Sequence, residues 1–235
     1  MANTDSGYPI NAANLKDLII RLKALGVDYN PPRPKISIEA LELLSKNAEE
    51  ANRALSLVLP VYSNAVDEQE ILFKPLAALI TRSYNYFKVV IDNPDKLQTA
   101  KTLADRLRGM GKNSIAADGT DGPSRSRVSY DNRLENSKQY IDVLALSKVY
   151  EPVQEDISLA TFQALLAAME NNITAVALAK TPVDDARKKR FNIFQGEQGL
   201  VDTVLDVKNY IKAILKSDHP QRKHILGLTF TRMKL

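Results

Sequence analysis

The feature that most narrows what this chain can fold into is a phrase it uses twice. "YNPPRPKIS", Tyr29 to Ser37, returns 121 residues later as "YEPVQEDIS", Tyr150 to Ser158, with Tyr, Pro, Ile and Ser in the same four places. The same displacement pairs Ile20 with Ile141, Ala24 with Ala145 and Leu25 with Leu146 before the phrase. After it come Leu44 with Leu165, Glu49 with Glu170, Ala54 with Ala175, Leu57 with Leu178, Ala65 with Ala186 and Phe73 with Phe194. Thirteen identities without a gap between positions 20 and 73 exceed the roughly three or four expected by chance, so the chain reads as a duplication.

Each copy carries a helical period. Leu41, Leu44, Ala48, Ala51, Leu55 and Val58 are spaced 3, 4, 3, 4, 3, which lines one face of a helix over several turns. The matching positions are Phe162, Leu165, Met169, Asn172, Val176 and Ala179. Asn172 breaks the apolar series and must lie at an edge or find a hydrogen-bond partner. The repeated phrase itself is a helix-entry device. Pro31 and Pro34 bias the backbone away from helix, and Ser37 and Ser158 are suited to cap the helices that follow. Pro60 and Pro182 predict the next breaks, with a third helix reaching about Phe73 or Phe194. A fourth is clearest in the second copy, with Leu200, Val204, Val207, Ile211 and Ile214 as its stripe. Pro75 marks either a kink or a break, and short helices follow Pro94 and Pro220. Only "LTFTR" near the end alternates in the manner of a strand.

The expected fold is therefore all-α: two helical-bundle repeats of about four helices each. They occupy residues 1–108 and 129–235 and are joined by a Gly/Ser-rich linker over 109–128, where trypsin is expected to cut first.

Composition removes several classes of chemistry. With no cysteine, the chain has no disulfide, thiolate zinc site, iron–sulfur cluster or cysteine nucleophile. The N-terminal stretch lacks the charge pattern of a signal peptide, and no window approaches a transmembrane length. The expectation is a cytoplasmic protein without a transmembrane segment. "GMGKNS" in the linker lacks the Walker spacing and a preceding strand. His219 and His224 are five apart, whereas helical metal ligands want three or four. Glu49/Glu50 and Asp184/Asp185 are sequence neighbours whose side chains diverge by about 100° on a helix. No catalytic residue, cofactor or metal ligand is predicted.

Charge offers one asymmetry. From Lys208 onward, seven Lys and Arg face the single Asp218. Lys208, Lys212 and Lys216 form an i,i+4 row, which Arg222 and Lys223 extend; these five are the candidate polyanion contacts. "ARKKRF", Ala186 to Phe191, is a second basic run, read as a solvated helix face with Asp184 and Asp185 one turn before Lys188 and Lys189.

"YEPVQEDISLATFQALLAAMENNITAV", together with "GLVDTVLDVKNYIKAIL", resembles uncharacterised bacterial all-helical tandem-repeat proteins over most of residues 130–235. That resemblance implies no activity, cofactor or site residue. The expected function is a non-enzymatic structural or interaction protein that presents helical surfaces to a protein partner or to itself. The alternative is weak nucleic-acid or polyanion binding through the basic C-terminal region.

Overall fold

A computed structural model describes residues 6–109 and 129–233. The protein is all-α, with no strand among the described residues. Its helices are α1 (Gly7–Lys23), α2 (Ile38–Phe73), α3 (Leu76–Val90), α4 (Pro94–Leu107), α5 (Tyr130–Leu146), α6 (Leu159–Gln195), α7 (Leu200–Ile214) and α8 (Pro220–Leu226). Apart from Gly109, which has a φ of +75° just past the end of α4, the linker expectation and the "GMGKNS" motif lie outside the described residues.

The repeated phrase forms the same structure twice. A one-turn 3₁₀ helix precedes each serine, and Ser37 and Ser158 accept from the backbone N–H groups of Ala40 and Thr161, both at 3.2 Å. Each phrase is locked by its tyrosine. Tyr29 Oη donates to the Ile36 carbonyl at 2.6 Å, and Tyr150 Oη donates to the Ile157 carbonyl at 2.7 Å. Both rings are buried, so each hydroxyl needs such a partner.

The expected breaks at Pro60 and Pro182 are corrected: α2 and α6 run unbroken through both prolines, for 36 and 37 residues. A proline inside a helix costs about 3 kcal/mol, because it removes one N–H and crowds the carbonyl four residues back. Both prolines are exposed, and each helix is anchored at its two ends. In α2, Leu41 and Ala48 enter one core and Phe73 enters another; in α6, Phe162 and Met169 enter one and Phe194 the other. Burying each of these Leu, Met and Phe side chains contributes about 1.5–3 kcal/mol, and together they outweigh one lost turn bond. Pro75, by contrast, is a true break, standing at the N-terminus of α3.

The displacement of 121 holds from the tyrosine phrase through the long helices but not before it. Buried Ala12, Leu18, Ile19 and Leu22 of α1 match buried Leu134, Tyr140, Ile141 and Leu144 of α5, a shift of 122. The identities at Ile20 and Leu25 are therefore not structural matches. Ile20 is 67% exposed where Ile141 is 3%, and Leu25 is buried where Leu146 is 70% exposed.

The chain divides into two compact units, and each takes helices from both halves of the sequence. Unit 1 comprises Met1–Val61 and Lys180–Leu235; unit 2 is Tyr62–Ala179. In unit 1, Tyr8 of α1 meets Phe194 of α6 edge-on at 5.1 Å, and Tyr29 meets Tyr210 of α7 at 5.7 Å. In unit 2, Tyr130 of α5 meets Phe73 of α2 at 4.8 Å, and Tyr150 meets Tyr86 of α3 at 5.4 Å. Tyr210 and Tyr86 then donate their hydroxyls to the carbonyls of Asn30 and Glu151, the residues that follow Tyr29 and Tyr150. Every one of these contacts joins the first half of the sequence to the second.

Asn172 resolves as the sequence required. It is buried, and its amide donates to the Ala65 carbonyl of α2 at 3.0 Å, while its Oδ1 has no hydrogen-bond partner.

Candidate functional site

The basic residues of the C-terminal region divide by environment. Lys208 on α7 turns inward. Its ammonium donates to the Leu226 carbonyl at 3.1 Å and to the Leu228 carbonyl, and it lies 5.6 Å from the centre of the Phe230 ring. Burial, with the charge of Lys212 one turn away, pulls its pKa below the ordinary lysine range. Lys212, Lys216 and Lys223 are exposed, and Arg222 is half-buried. Lys216 shares an open groove of about 440 Å³ with Asp28 and Asp218, which dilutes its positive field. The five residues are therefore not one exposed basic row; the innermost of them closes the end of α8.

The histidines have structural surroundings. His219 Nδ1 accepts from the Gln221 backbone N–H at 3.2 Å, which caps α8, and His224 is exposed in the last turn of that helix. Among the described residues no three His, Asp or Glu side chains form a group able to hold a metal ion. Within "ARKKRF", Arg190 is 7% exposed and its guanidinium lies 3.9 Å from the centre of the Tyr8 ring, while Lys188 and Lys189 are exposed. Asp184 lies 3.9 Å from Arg187.

What the sequence reading missed is the surface that Lys208 helps to build. After α8 the chain runs without helix or strand from Leu228 to Met233, across α1, the end of α6 and α7. Asn11, fully buried, holds Thr231 by both backbone groups: its Nδ2 donates to the Thr231 carbonyl and its Oδ1 accepts the Thr231 N–H, each at 2.9 Å. Asn14 donates to the Thr229 carbonyl at 2.7 Å, and Gln195 donates to the Thr231 carbonyl at 3.4 Å. Leu228, Phe230 and Met233 are half-buried against the core, Thr229, Thr231 and Arg232 are exposed, and Arg232 pairs with Asp202.

Two signals pointed here. "LTFTR" alternates because it is an extended segment with one face buried. Asn11 also falls on the apolar series Tyr8, Asn11, Leu15, Leu18, Leu22, where an amide needs a polar partner opposite.

In comparisons with known proteins, no family model, no curated protein and no solved structure matches the chain. Among the described residues, no helix is long and apolar enough to cross a membrane.

Proposed function

We propose that the protein is a non-enzymatic interaction protein, built by duplication, that presents the outward face of α6 to a second copy of itself. The observation that carries this reading is the surface of that helix. Between Leu159 and Ala179 the only charged residue is Glu170, and its carboxylate is held by Lys138 at 3.0 Å. Ala160, Ala164, Ala167, Asn171, Ala175 and Leu178 are all exposed and recur at spacings 4, 3, 4, 4, 3, which draws a second stripe away from the core. The equivalent positions of α2 are Glu39, Leu43, Lys46, Glu50, Ala54 and Leu57, so three of the six carry charge where α6 has none.

The outward stripe of α6 is also palindromic. Ala167 and Ala175 stand four residues either side of Asn171, and Ala164 and Leu178 stand seven. In a twofold interface residue i faces residue j of the other copy and j faces i, so an antiparallel pair of such helices with Asn171 on the axis sets Ala167 against Ala175 and Ala164 against Leu178. Small residues let the two helices approach closely, and paired Asn171 amides satisfy each other there.

Sedimentation of the wild-type chain and of an Ala167→Glu, Ala175→Glu variant tests this. The expected result is a concentration-dependent dimer that the substitutions abolish without loss of helical signal. A wild-type chain that stays monomeric at every accessible concentration refutes it.

A further inference from the structure

The extended C-terminal segment is bound as a peptide ligand is bound. Four polar side chains reach it from three helices, Asn11 and Asn14 on α1, Gln195 on α6 and Lys208 on α7 through the Leu228 carbonyl, and all of them address main-chain atoms. They leave the Thr229 and Thr231 side chains exposed. Such contacts hold an extended backbone whatever its sequence, while pockets for alternate residues supply the selectivity.

One of those pockets exists because of a glycine. A Cβ on Gly7 would lie 2.7 Å from Met233 Sδ, so the missing side chain at the start of α1 makes the methionine's seat. Met233 also lies 3.8 Å from Gln195 Nε2 and 4.0 Å from Asn11 Nδ2. Phe230 lies over the Lys208 ammonium, and Asp202 takes the Arg232 guanidinium.

Unit 2 shows what an ordinary covering of this place looks like. There α4 follows α3 as α8 follows α7, but α4 continues for 14 residues as helix and buries Ala100, Leu103, Ala104 and Leu107. In unit 1 the helix stops after seven residues, and the extended segment does the covering. A helix satisfies its own backbone; an extended strand without a neighbour cannot. The two asparagines and Gln195 meet that need in unit 1.

We propose that this channel is a recognition site for extended peptide segments, with Leu228–Met233 as its tethered resident. A partner segment that fits has alternate apolar residues on its inner face and a long unbranched side chain for the Gly7 seat, with a basic residue just before it for Asp202. Gly7 and Asp202 are then the residues that determine specificity, and Asn11 holds the backbone of whichever segment is bound. The tether holds the resident at an effective concentration of order millimolar, so a competing segment binds measurably only when the resident is loosened.

The test uses the full chain. Thr231→Pro deletes the N–H that Asn11 accepts, whereas Thr231→Ala keeps it and removes only an exposed side chain. Two readouts are taken: the rate of tryptic cleavage after Arg232, and anisotropy of a labelled, end-blocked peptide with the sequence LTFTRM. Thr231→Ala should be cut at the wild-type rate, and Thr231→Pro at least about tenfold faster. Thr231→Pro should bind the peptide saturably and at least about tenfold more tightly than wild type does, and adding Gly7→Leu should abolish that binding. If Thr231→Pro does not fold, Met233→Asp loosens the same segment and takes the same readouts. Cleavage at the wild-type rate in the folded variant, or faster cleavage without peptide binding, overturns the proposal.

Discussion

Replacing Tyr29 or Tyr150 by Phe removes one oxygen from each copy of the repeated phrase and leaves its ring contact intact. The hydroxyls bond to Ile36 and Ile157 at 2.6 and 2.7 Å, from rings that are 7% and 3% exposed. A neutral buried hydrogen bond contributes about 1 kcal/mol net, and a carbonyl left without its donor raises the loss. We expect each substitution to destabilise the protein by about 1–2 kcal/mol, and the two costs to agree because the local geometries agree. Tyr→Leu at either position should cost about 1 kcal/mol more, since it also removes the edge-to-face contact with Tyr210 or Tyr86. The assay is urea denaturation followed by far-ultraviolet circular dichroism, comparing midpoints at constant slope. A loss below about 0.3 kcal/mol at both positions, or a severalfold difference between them, would refute the claim that these hydroxyls lock the two turns.

Other perturbations probe separate parts of the argument. Residues 1–109 and 129–235, expressed as separate chains in one cell, should co-purify as a stoichiometric complex, because each compact unit draws helices from both halves; two soluble fragments that do not associate contradict that packing. Asn172→Leu removes both a buried Oδ1 without a partner and the amide's bond to Ala65, two effects of opposite sign, so it should shift stability by less than about 1 kcal/mol in the same urea assay, whereas Asn172→Asp should destabilise the protein by more than that. Lys208→Met should loosen the end of α8, seen as faster amide exchange at Leu226 to Leu228, while Lys212→Gln and Lys216→Gln should leave exchange unchanged. Burial raises the pKa values of Tyr29, Tyr140 and Tyr150 above the usual tyrosine value, so the fold binds their protons more tightly than the unfolded chain does. Stability from these neutral phenols should be intact below about pH 10 and fall as pH rises beyond it, and an alkaline titration of the urea midpoint checks the sign.

Local structure was legible wherever one segment's own residues decide it. The stripe from Leu41 to Val58 is buried or half-buried at all six positions, and so is its counterpart from Phe162 to Ala179. The serine caps and the helices after Pro94 and Pro220 follow from short-range chemistry, whereas the sequence left Pro75 open between a kink and the break it makes. The candidate site was harder to see because its parts are some 220 residues apart. Nothing near Asn11 announces that Thr231 will lie against it; an amide on an apolar face shows only that a partner exists. Lys208 looked like its neighbours because spacing does not reveal which lysine of an i,i+4 row meets the carbonyls of another helix.

The expectation of breaks at the two prolines bears directly on how the halves pack. Had α2 turned back at Pro60, its second half could have folded onto its first, and each copy could have closed its own core. A helix that continues instead carries Leu41 and Phe73 into two different cores. The stripe beyond Pro60 must then be covered by other helices, and the complementary surfaces lie in the second half of the sequence, where α5 and the turn after it repeat the chemistry of α1 and its turn. The aromatic pairs record the outcome: Phe73 packs on Tyr130 rather than Tyr8, and Phe194 packs on Tyr8 rather than Tyr130. Two segments that share the tyrosine phrase and a helical stripe offer similar partners within one half and between halves, so periodicity alone does not choose between them. The continuity of two helices through Pro60 and Pro182 does, at a cost of about 3 kcal/mol per proline that the cores at both helix ends offset.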